Sequence, residues 1–124
     1  TRILSSAASD VYKRQAFGST TNFFEPTPVK QRQMDMTQHV MANCLIYWAQ
    51  ALLNESLLDD GSRILGITSE GSYKAMDGYG PVGVSKASLE AVIRQIVWVL
   101  GSKGITANTI QAGITPTRAL TKIS

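Results

Sequence analysis

Two segments with helical apolar spacing alternate with two short apolar runs, and this alternation restricts the architecture more than any other feature of the chain. Across 34–58, Val40, Met41, Cys44, Leu45, Tyr47, Trp48, Leu52 and Leu53 recur at the spacing of one helix face, with Asp35 near the start. The Asp59-Asp60-Gly61 turn ends that helix, and 63–68 is a short apolar run suited to a strand buried on both faces. Small, polar and glycine residues over 69–80 predict a loop, after which Pro81 suits the first turn of a second helix reaching about Leu100. The interior of that helix, AVIRQIVWVL, is rich in β-branched residues, but its length and the spacing of Leu89, Val92, Ile96 and Leu100 favour a buried helix over a strand. Gly101 and Gly104 mark its stop. Residues 105–111 read as a second strand, followed by an Ala112-Gly113 turn and a loop carrying Thr115, Pro116 and Thr117. A helix-strand-helix-strand order predicts an α/β fold, with right-handed crossovers, a parallel sheet and ligand loops at the carboxyl ends of the strands. Ser69 and Thr115 both fall just past an expected strand, where such a site belongs.

The rest of the chain divides unevenly. Residues 16–33, with Gly18, Pro26, Pro28 and several small polar positions, predict a loop longer than ordinary connections, of the kind that covers a binding site. Residues 1–15, TRILSSAASDVYKRQ, share neither its composition nor its pattern. The string SSAASDVYKRQ resembles translated adapter read-through at the ends of reading frames assembled from environmental sequencing, so 1–15 is expected to be foreign and is set aside from the fold.

Charge and composition exclude several functions. Three basic residues, Arg2, Lys13 and Arg14, lie in the first fifteen positions, and no stripe of Lys and Arg interleaved with aromatics follows. The net charge of +3 therefore does not describe a nucleic-acid binder. His39 has no histidine or cysteine partner at ligand spacing and the one cysteine, Cys44, has no second thiol, so no metal is expected and Cys44 is read as helix packing. There is no run of about 18 apolar residues, and the chain starts without the pattern of a secretory signal, so a cytoplasmic protein without a membrane segment is expected.

The residues able to do chemistry gather around the second helix. Tyr79 and Lys86 are seven positions apart in YGPVGVSKASLEA, and Ser69 stands at the end of the first strand. Seven residues is nearly two helical turns, so such positions lie within about 20° of one face and about 10 Å apart along the axis. A lysine side chain leans toward the amino end of its helix, which lets Lys86 reach toward the space the Tyr79 hydroxyl enters. A phenol holds its proton to about pH 10, and a nearby ammonium stabilises the phenolate, making the tyrosine a usable proton donor or oxyanion stabiliser. The same ammonium can donate to the sugar hydroxyls of a nucleotide. Gly83 permits close approach of backbone or cofactor, and Ala87, Ser88 and Ala91 keep one helix face narrow. Tyr73 lacks a comparable lysine and is read as a loop residue; Tyr47 and Trp48 are read as core or interface.

On these residues, the stretch from Ala16 to about Leu120 resembles the later half of a short-chain dehydrogenase/reductase, and within that family it is most similar to the bacterial enoyl-acyl-carrier-protein reductases. Most of the family place the tyrosine four positions before the lysine, which here is Val82, whereas enoyl reductases use the seven-position spacing that Tyr79 and Lys86 match. Ala16-Phe17-Gly18 is similar to the segment after the fourth strand that lies against the nicotinamide. Val84-Ser85-Lys86-Ala87-Ser88-Leu89-Glu90-Ala91 resembles the catalytic helix, and Asn108-Thr109-Ile110-Gln111-Ala112-Gly113 the strand leading to the nicotinamide loop. Ser69 takes the place where one branch carries a second tyrosine and another a serine; Met41 falls where many short-chain dehydrogenases have a proton-relaying asparagine.

The resemblance implies a fragment of a Rossmann-type, doubly wound parallel sheet and a role in fatty acid biosynthesis. Tyr79, with Ser69, would stabilise the enolate formed when hydride reaches the carbon β to a thioester carbonyl, and Lys86 would hold the nicotinamide ribose. It further implies that Ala16, Phe17, Thr68, Gly113, Ile114, Thr115 and Thr117 contact the cofactor, NADH or NADPH, and that Gly18 joins Tyr79 at the substrate. The substrate would be an enoyl thioester on acyl carrier protein or coenzyme A. Family members commonly form tetramers through the two helices matched by 34–58 and 81–100, with Trp48 and Trp98 as contacts. The glycine-rich strand-turn-helix that binds a dinucleotide has no counterpart here, so 16–124 is expected to be a partial domain that is inactive and binds cofactor poorly by itself. A carbonyl or 3-ketoacyl reductase of the same family, and a noncatalytic α/β assembly module, are the alternatives.

Overall fold

The structure is a computed structural model, which describes residues 21–112. Helix α1 (Gln31–Gln38) runs through a π-helical turn (His39–Asn43) into α2 (Cys44–Asn54), and strand β1 (Arg63–Thr68) follows. A 3₁₀ turn (Glu70–Ser72) leads to α3 (Gly80–Leu100), a second 3₁₀ turn (Gly101–Lys103) and strand β2 (Thr106–Gln111). The two strands pair in parallel from Arg63 opposite Thr106 to Thr68 opposite Gln111, and the Ala112 N–H extends the ladder by donating to the Thr68 carbonyl at 3.0 Å. Parallel neighbours joined by a long helix are the order the alternating pattern predicts.

Local chemistry sets most of the boundaries. The Gln33 side chain accepts from the Lys30 backbone N–H at 2.9 Å, so the first helix begins at Gln31, three residues before the expected start. It also ends sooner. Ser56 turns left-handed at φ 58°, its N–H donates to the Leu53 carbonyl at 3.0 Å, and the Leu57 N–H donates back to Leu52 at 2.8 Å. This 6→1 closure stops the helix at Asn54, ahead of the Asp59-Asp60-Gly61 turn. Pro81 stands in the first turn of α3, and Gly104, at φ 76°, turns the chain into β2.

One core cluster of Ala42, Leu52, Leu58, Ile64, Leu89, Ile93, Leu100, Ile105 and Ala107 joins the helices to the sheet. Strand β1 was expected to be buried on both faces, but it alternates: Ile64, Gly66 and Thr68 are buried while Leu65 is 57% exposed. Among the described residues the helices cover one face of the sheet. Gly66 is the close-packing point on that face, since a Cβ there would stand 3.4 Å from the Leu89 side chain. Cys44 is buried and its thiol donates to the Val40 carbonyl at 3.1 Å, the packing role expected of it. Tyr47, by contrast, is 54% exposed, so it is not core.

Candidate active site

The carboxyl end of β1 and the amino end of α3 bring the predicted residues together. Ser69 follows the strand directly, and its Oγ lies 2.8 Å from the Tyr79 hydroxyl. Tyr79 is the residue preceding α3, neither helical nor extended at φ −120° and ψ 11°, and its carbonyl accepts the first-turn N–H of Gly83 at 2.7 Å. Two glycines make room for the ring. A Cβ on Gly71 would overlap the Tyr79 ring carbons, and a Cβ on Gly83 would come within 2.6 Å of the Gly71 carbonyl. The close approach anticipated at Gly83 is therefore one of backbone to backbone. Val82, where the commoner tyrosine of the wider family would stand, is 4% exposed and faces the core.

Lys86 reaches the same strand end from nearly two turns further along. Its Nζ donates to the Ile67 carbonyl at 2.7 Å, and the residue is only 6% exposed. Burial lowers its pKa from 10.5 to about 8, because desolvation disfavours the ammonium. Thr68, between these two contacts, is 4% exposed and its hydroxyl donates to Glu90 Oε2 at 2.9 Å. Thus 67, 68 and 69 each bond a side chain from α3 or from the residue that opens it. Ser69, Tyr79 and Lys86 were expected at this strand end; the bond to Glu90 was not, and its only signal in the sequence is a place one turn beyond Lys86.

The 22–28 stretch of the long loop closes over the entrance of α3. Asn22 Oδ1 accepts the Gly78 N–H at 2.6 Å, while Asn22 Nδ2 donates to the Glu25 carbonyl at 3.1 Å. Phe23 lies flat enough on Gly80 that a Cβ there would stand 2.9 Å from the ring. Between this loop, 71–77 and α3 lies an open cleft of about 560 Å³, with Phe23, Phe24, Tyr73, Met76 and Val84 among its walls. Tyr73 is 64% exposed in that loop, as its loop assignment requires, and its hydroxyl accepts from Gln111 Nε2 at 3.1 Å. Ala16, Phe17, Gly18, Gly113, Ile114, Thr115 and Thr117 lie outside the described residues.

The family model described as enoyl-(acyl carrier protein) reductase matches residues 14–124. The chain belongs to that family. Among curated members, it is 39% identical over 77 residues to enoyl-[acyl-carrier-protein] reductase [NADH] 1 of Rhizobium meliloti strain 1021, covering 62% of this chain and 28% of that protein. It is 32% identical over 106 residues to the enoyl-[acyl-carrier-protein] reductase [NADH] FabI of Rickettsia felis, covering 82% and 41%. With the FabI of Escherichia coli K12 it shares 38% over 72 residues, covering 58% and 27%. The chain thus spans between 27% and 41% of the length of these relatives. The enoyl-[acyl-carrier-protein] reductase (NADH) of Aquifex aeolicus VF5 superposes with a TM-score of 0.68 at 22% identity, over 86% of this chain and 39% of that one. FabI from Alistipes finegoldii superposes at 0.70 and 20% identity, over 74% and 35%. These two likenesses establish the fold, part of a Rossmann-type parallel sheet with its helices.

Proposed function

We propose that this chain carries the tyrosine-lysine half of the active site of an NADH-dependent enoyl-[acyl-carrier-protein] reductase of fatty acid biosynthesis. The observation that carries the reading is the 2.8 Å contact between Ser69 Oγ and the Tyr79 hydroxyl, at the strand end where Lys86 is anchored. The named relatives, each called an NADH enzyme, support NADH over NADPH.

The residues present fit a nicotinamide nucleotide. Lys86 has three N–H donors, and one is given to the Ile67 carbonyl. The others suit the vicinal hydroxyls of a ribose. When bound, NADH supplies the hydride that reduces the carbon-carbon double bond of the enoyl thioester. Hydride at the β carbon would leave an enolate, whose oxygen the Tyr79 hydroxyl stabilises by donating a hydrogen bond, and the α carbon would then take its proton from water. Ser69 holds that hydroxyl in place and exchanges hydrogen bonds with it. The bare Gly71 leaves space for the Tyr79 ring, and the bare Gly83 lets the Gly71 carbonyl approach α3. Thr68 turns its hydroxyl toward Glu90, so its proposed contact with the cofactor is through backbone. The contacts proposed for Ala16, Phe17, Gly18, Gly113, Ile114, Thr115 and Thr117 follow from family resemblance alone.

The substrate proposed is an enoyl thioester on acyl carrier protein or coenzyme A. For the complete protein we propose a homotetramer in the cytoplasm, assembled through the outer faces of α2 and α3, where Trp98 is 85% and Val99 61% exposed. No helix among the described residues is long and apolar enough to cross a membrane. Residues 1–15 are proposed as foreign and 16–124 as a partial domain, inactive alone; the family match begins at residue 14. Reduction of crotonyl thioester by the full-length gene product tests the function. Tyr79→Phe should lower kcat by about two to four orders of magnitude, the span of a lost general acid or oxyanion donor. Unchanged turnover would remove Tyr79 from the chemistry.

A further inference from the structure

Three consecutive residues at the carboxyl end of β1 are each tied to the α3 side of the molecule. The Ile67 carbonyl takes Lys86 Nζ at 2.7 Å, the Thr68 hydroxyl donates to Glu90 Oε2 at 2.9 Å, and Ser69 Oγ meets the Tyr79 hydroxyl at 2.8 Å. The outer two bonds belong to the proposed site, and the middle one joins two side chains to which that site assigns no contact of their own, Thr68 being proposed to meet the cofactor through its backbone. We propose that Glu90 is a positioning residue, whose carboxylate holds Thr68 and thereby fixes both the carbonyl that anchors Lys86 and the hydroxyl that meets Tyr79. This rests on the assignment of Tyr79 and Lys86 made above.

Packing alone does not account for the bond. Thr68 is 4% exposed, and a valine there against an apolar residue at 90 would join helix to strand with no buried hydroxyl to satisfy. What an apolar contact lacks is direction. A hydrogen bond to a charged acceptor fixes distance and angle, and the β-branched Thr68 side chain has few χ1 options through which to slip. Because Thr68 is covalently bonded to Ile67 and Ser69, a shift of its backbone moves both neighbours together. Lys86 and Glu90 stand one turn apart on α3, so the helix grips successive strand residues with successive turns.

The test uses Thr68→Val, Thr68→Ser, Glu90→Ala and Glu90→Gln in the full-length gene product, with thermal unfolding of each variant measured first. Thr68→Val and Glu90→Ala should each lower kcat for crotonyl thioester by about tenfold to a hundredfold with little change in KM, as misplacement of reacting groups does. The double variant Thr68→Val/Glu90→Ala should fall no further than either single one, because both remove one bond. Thr68→Ser and Glu90→Gln, which keep a donor and an acceptor but give up the β-branch or the charge, should each lose less kcat than Thr68→Val and Glu90→Ala. Parent-like kcat in Thr68→Val, or multiplicative loss in the double variant, overturns the proposal. A second measurement needs no activity. In the isotope-labelled 124-residue chain, the NMR titration of the Lys86 ε-carbon should move to higher pH in Thr68→Val, as the loosened strand end lets water reach the ammonium. An unmoved titration also overturns the positioning role. If the parent enzyme fails to reduce crotonyl thioester while the Lys86 titration still moves, the proposed function falls and the positioning of Lys86 stands.

Discussion

The buried ammonium of Lys86 makes stability depend on pH with a sign opposite to that of an ordinary paired lysine. Its pKa falls from 10.5 to about 8 because burial strips water from the charge. At about 1.4 kcal/mol per pKa unit, holding Lys86 charged in the folded state at pH 7 costs on the order of 3 kcal/mol relative to the unfolded chain. The folded pKa lies below the unfolded one, so the cost is fully present below about pH 8 and is relieved as pH rises toward 10.5. Between pH 7 and 9.5 the folded chain should gain about 2 kcal/mol from this group. Urea unfolding followed by far-ultraviolet circular dichroism, at half-unit pH steps, measures the gain. Lys74 acts the other way: the hydrogen bond and charge of Glu70 raise its pKa, giving a contribution present below 10.5 and lost as pH climbs through the raised value. Lys86→Met keeps the methylene stem and removes the titration while leaving Lys74 alone. Comparison of the two pH profiles therefore isolates Lys86: the parent should gain about 2 kcal/mol relative to Lys86→Met from pH 7 to 9.5. Parallel profiles would refute the claim that the ammonium is desolvated, and a parent that loses stability relative to Lys86→Met over that range would refute its sign.

Other perturbations probe the local geometry. Ser56→Gly removes the left-handed strain of a side chain at φ 58° and should stabilise the chain by about 1 kcal/mol in the same urea assay; destabilisation would mean that the closing turn is not left-handed. Gly71→Ala drives a methyl group into the Tyr79 ring and should cost about 1–3 kcal/mol. Gly101→Ala, where nothing lies within 4 Å of a new Cβ and φ is −59°, should be stabilising by about 0.5–1 kcal/mol. Equal effects at the two glycines would contradict the packing of Gly71 on the ring. Fluorescence titration of the 124-residue chain with NADH should show no micromolar binding, and saturation in that range would contradict the partial-site reading.

The parts of this molecule written in local chemistry could be read from its sequence. Apolar spacing and the positions of Pro81, Gly101 and Gly104 mark the second helix to within a residue or so, because caps and backbone-restricted residues act on their immediate neighbours. That Ser69 meets Tyr79 and that Lys86 reaches the same strand end was legible because a strand end, a helix entrance and a two-turn spacing are local features. The bond from Thr68 to Glu90 spans 22 residues and that from Gly78 to Asn22 spans 56, and neither leaves a periodic trace. A glutamate on an amphipathic helix ordinarily reads as a solvated charge. The π-helical turn was equally hidden, although Val40, Met41 and Ala42 are all buried in succession, more than a narrow 3.6-residue stripe supplies. Leu65 misled for a related reason: an unbroken apolar run describes a two-sided strand, while the described helices cover one side.

The arrangement of charge on α3 follows from what the strand end offers. Lys86 and Glu90, four residues apart on one helix, are placed for an ordinary ion pair, which would satisfy both without reference to the sheet. The chain does not use it. The one ion pair among the described residues joins Lys74 to Glu70, and Glu90 gives an oxygen to Thr68 while Lys86 donates to Ile67. Desolvation is accordingly the sole resolved influence on the Lys86 pKa, with no carboxylate offsetting it. An ammonium held this way is costly to the fold but keeps its charge and remaining donors uncommitted, at the strand end that also carries the Ser69–Tyr79 hydroxyl pair. Pairing with Glu90 would raise its pKa and occupy those donors. Directing the carboxylate to Thr68 therefore serves two ends with one bond, holding the strand terminus in place and keeping the Glu90 side chain from pairing with the lysine.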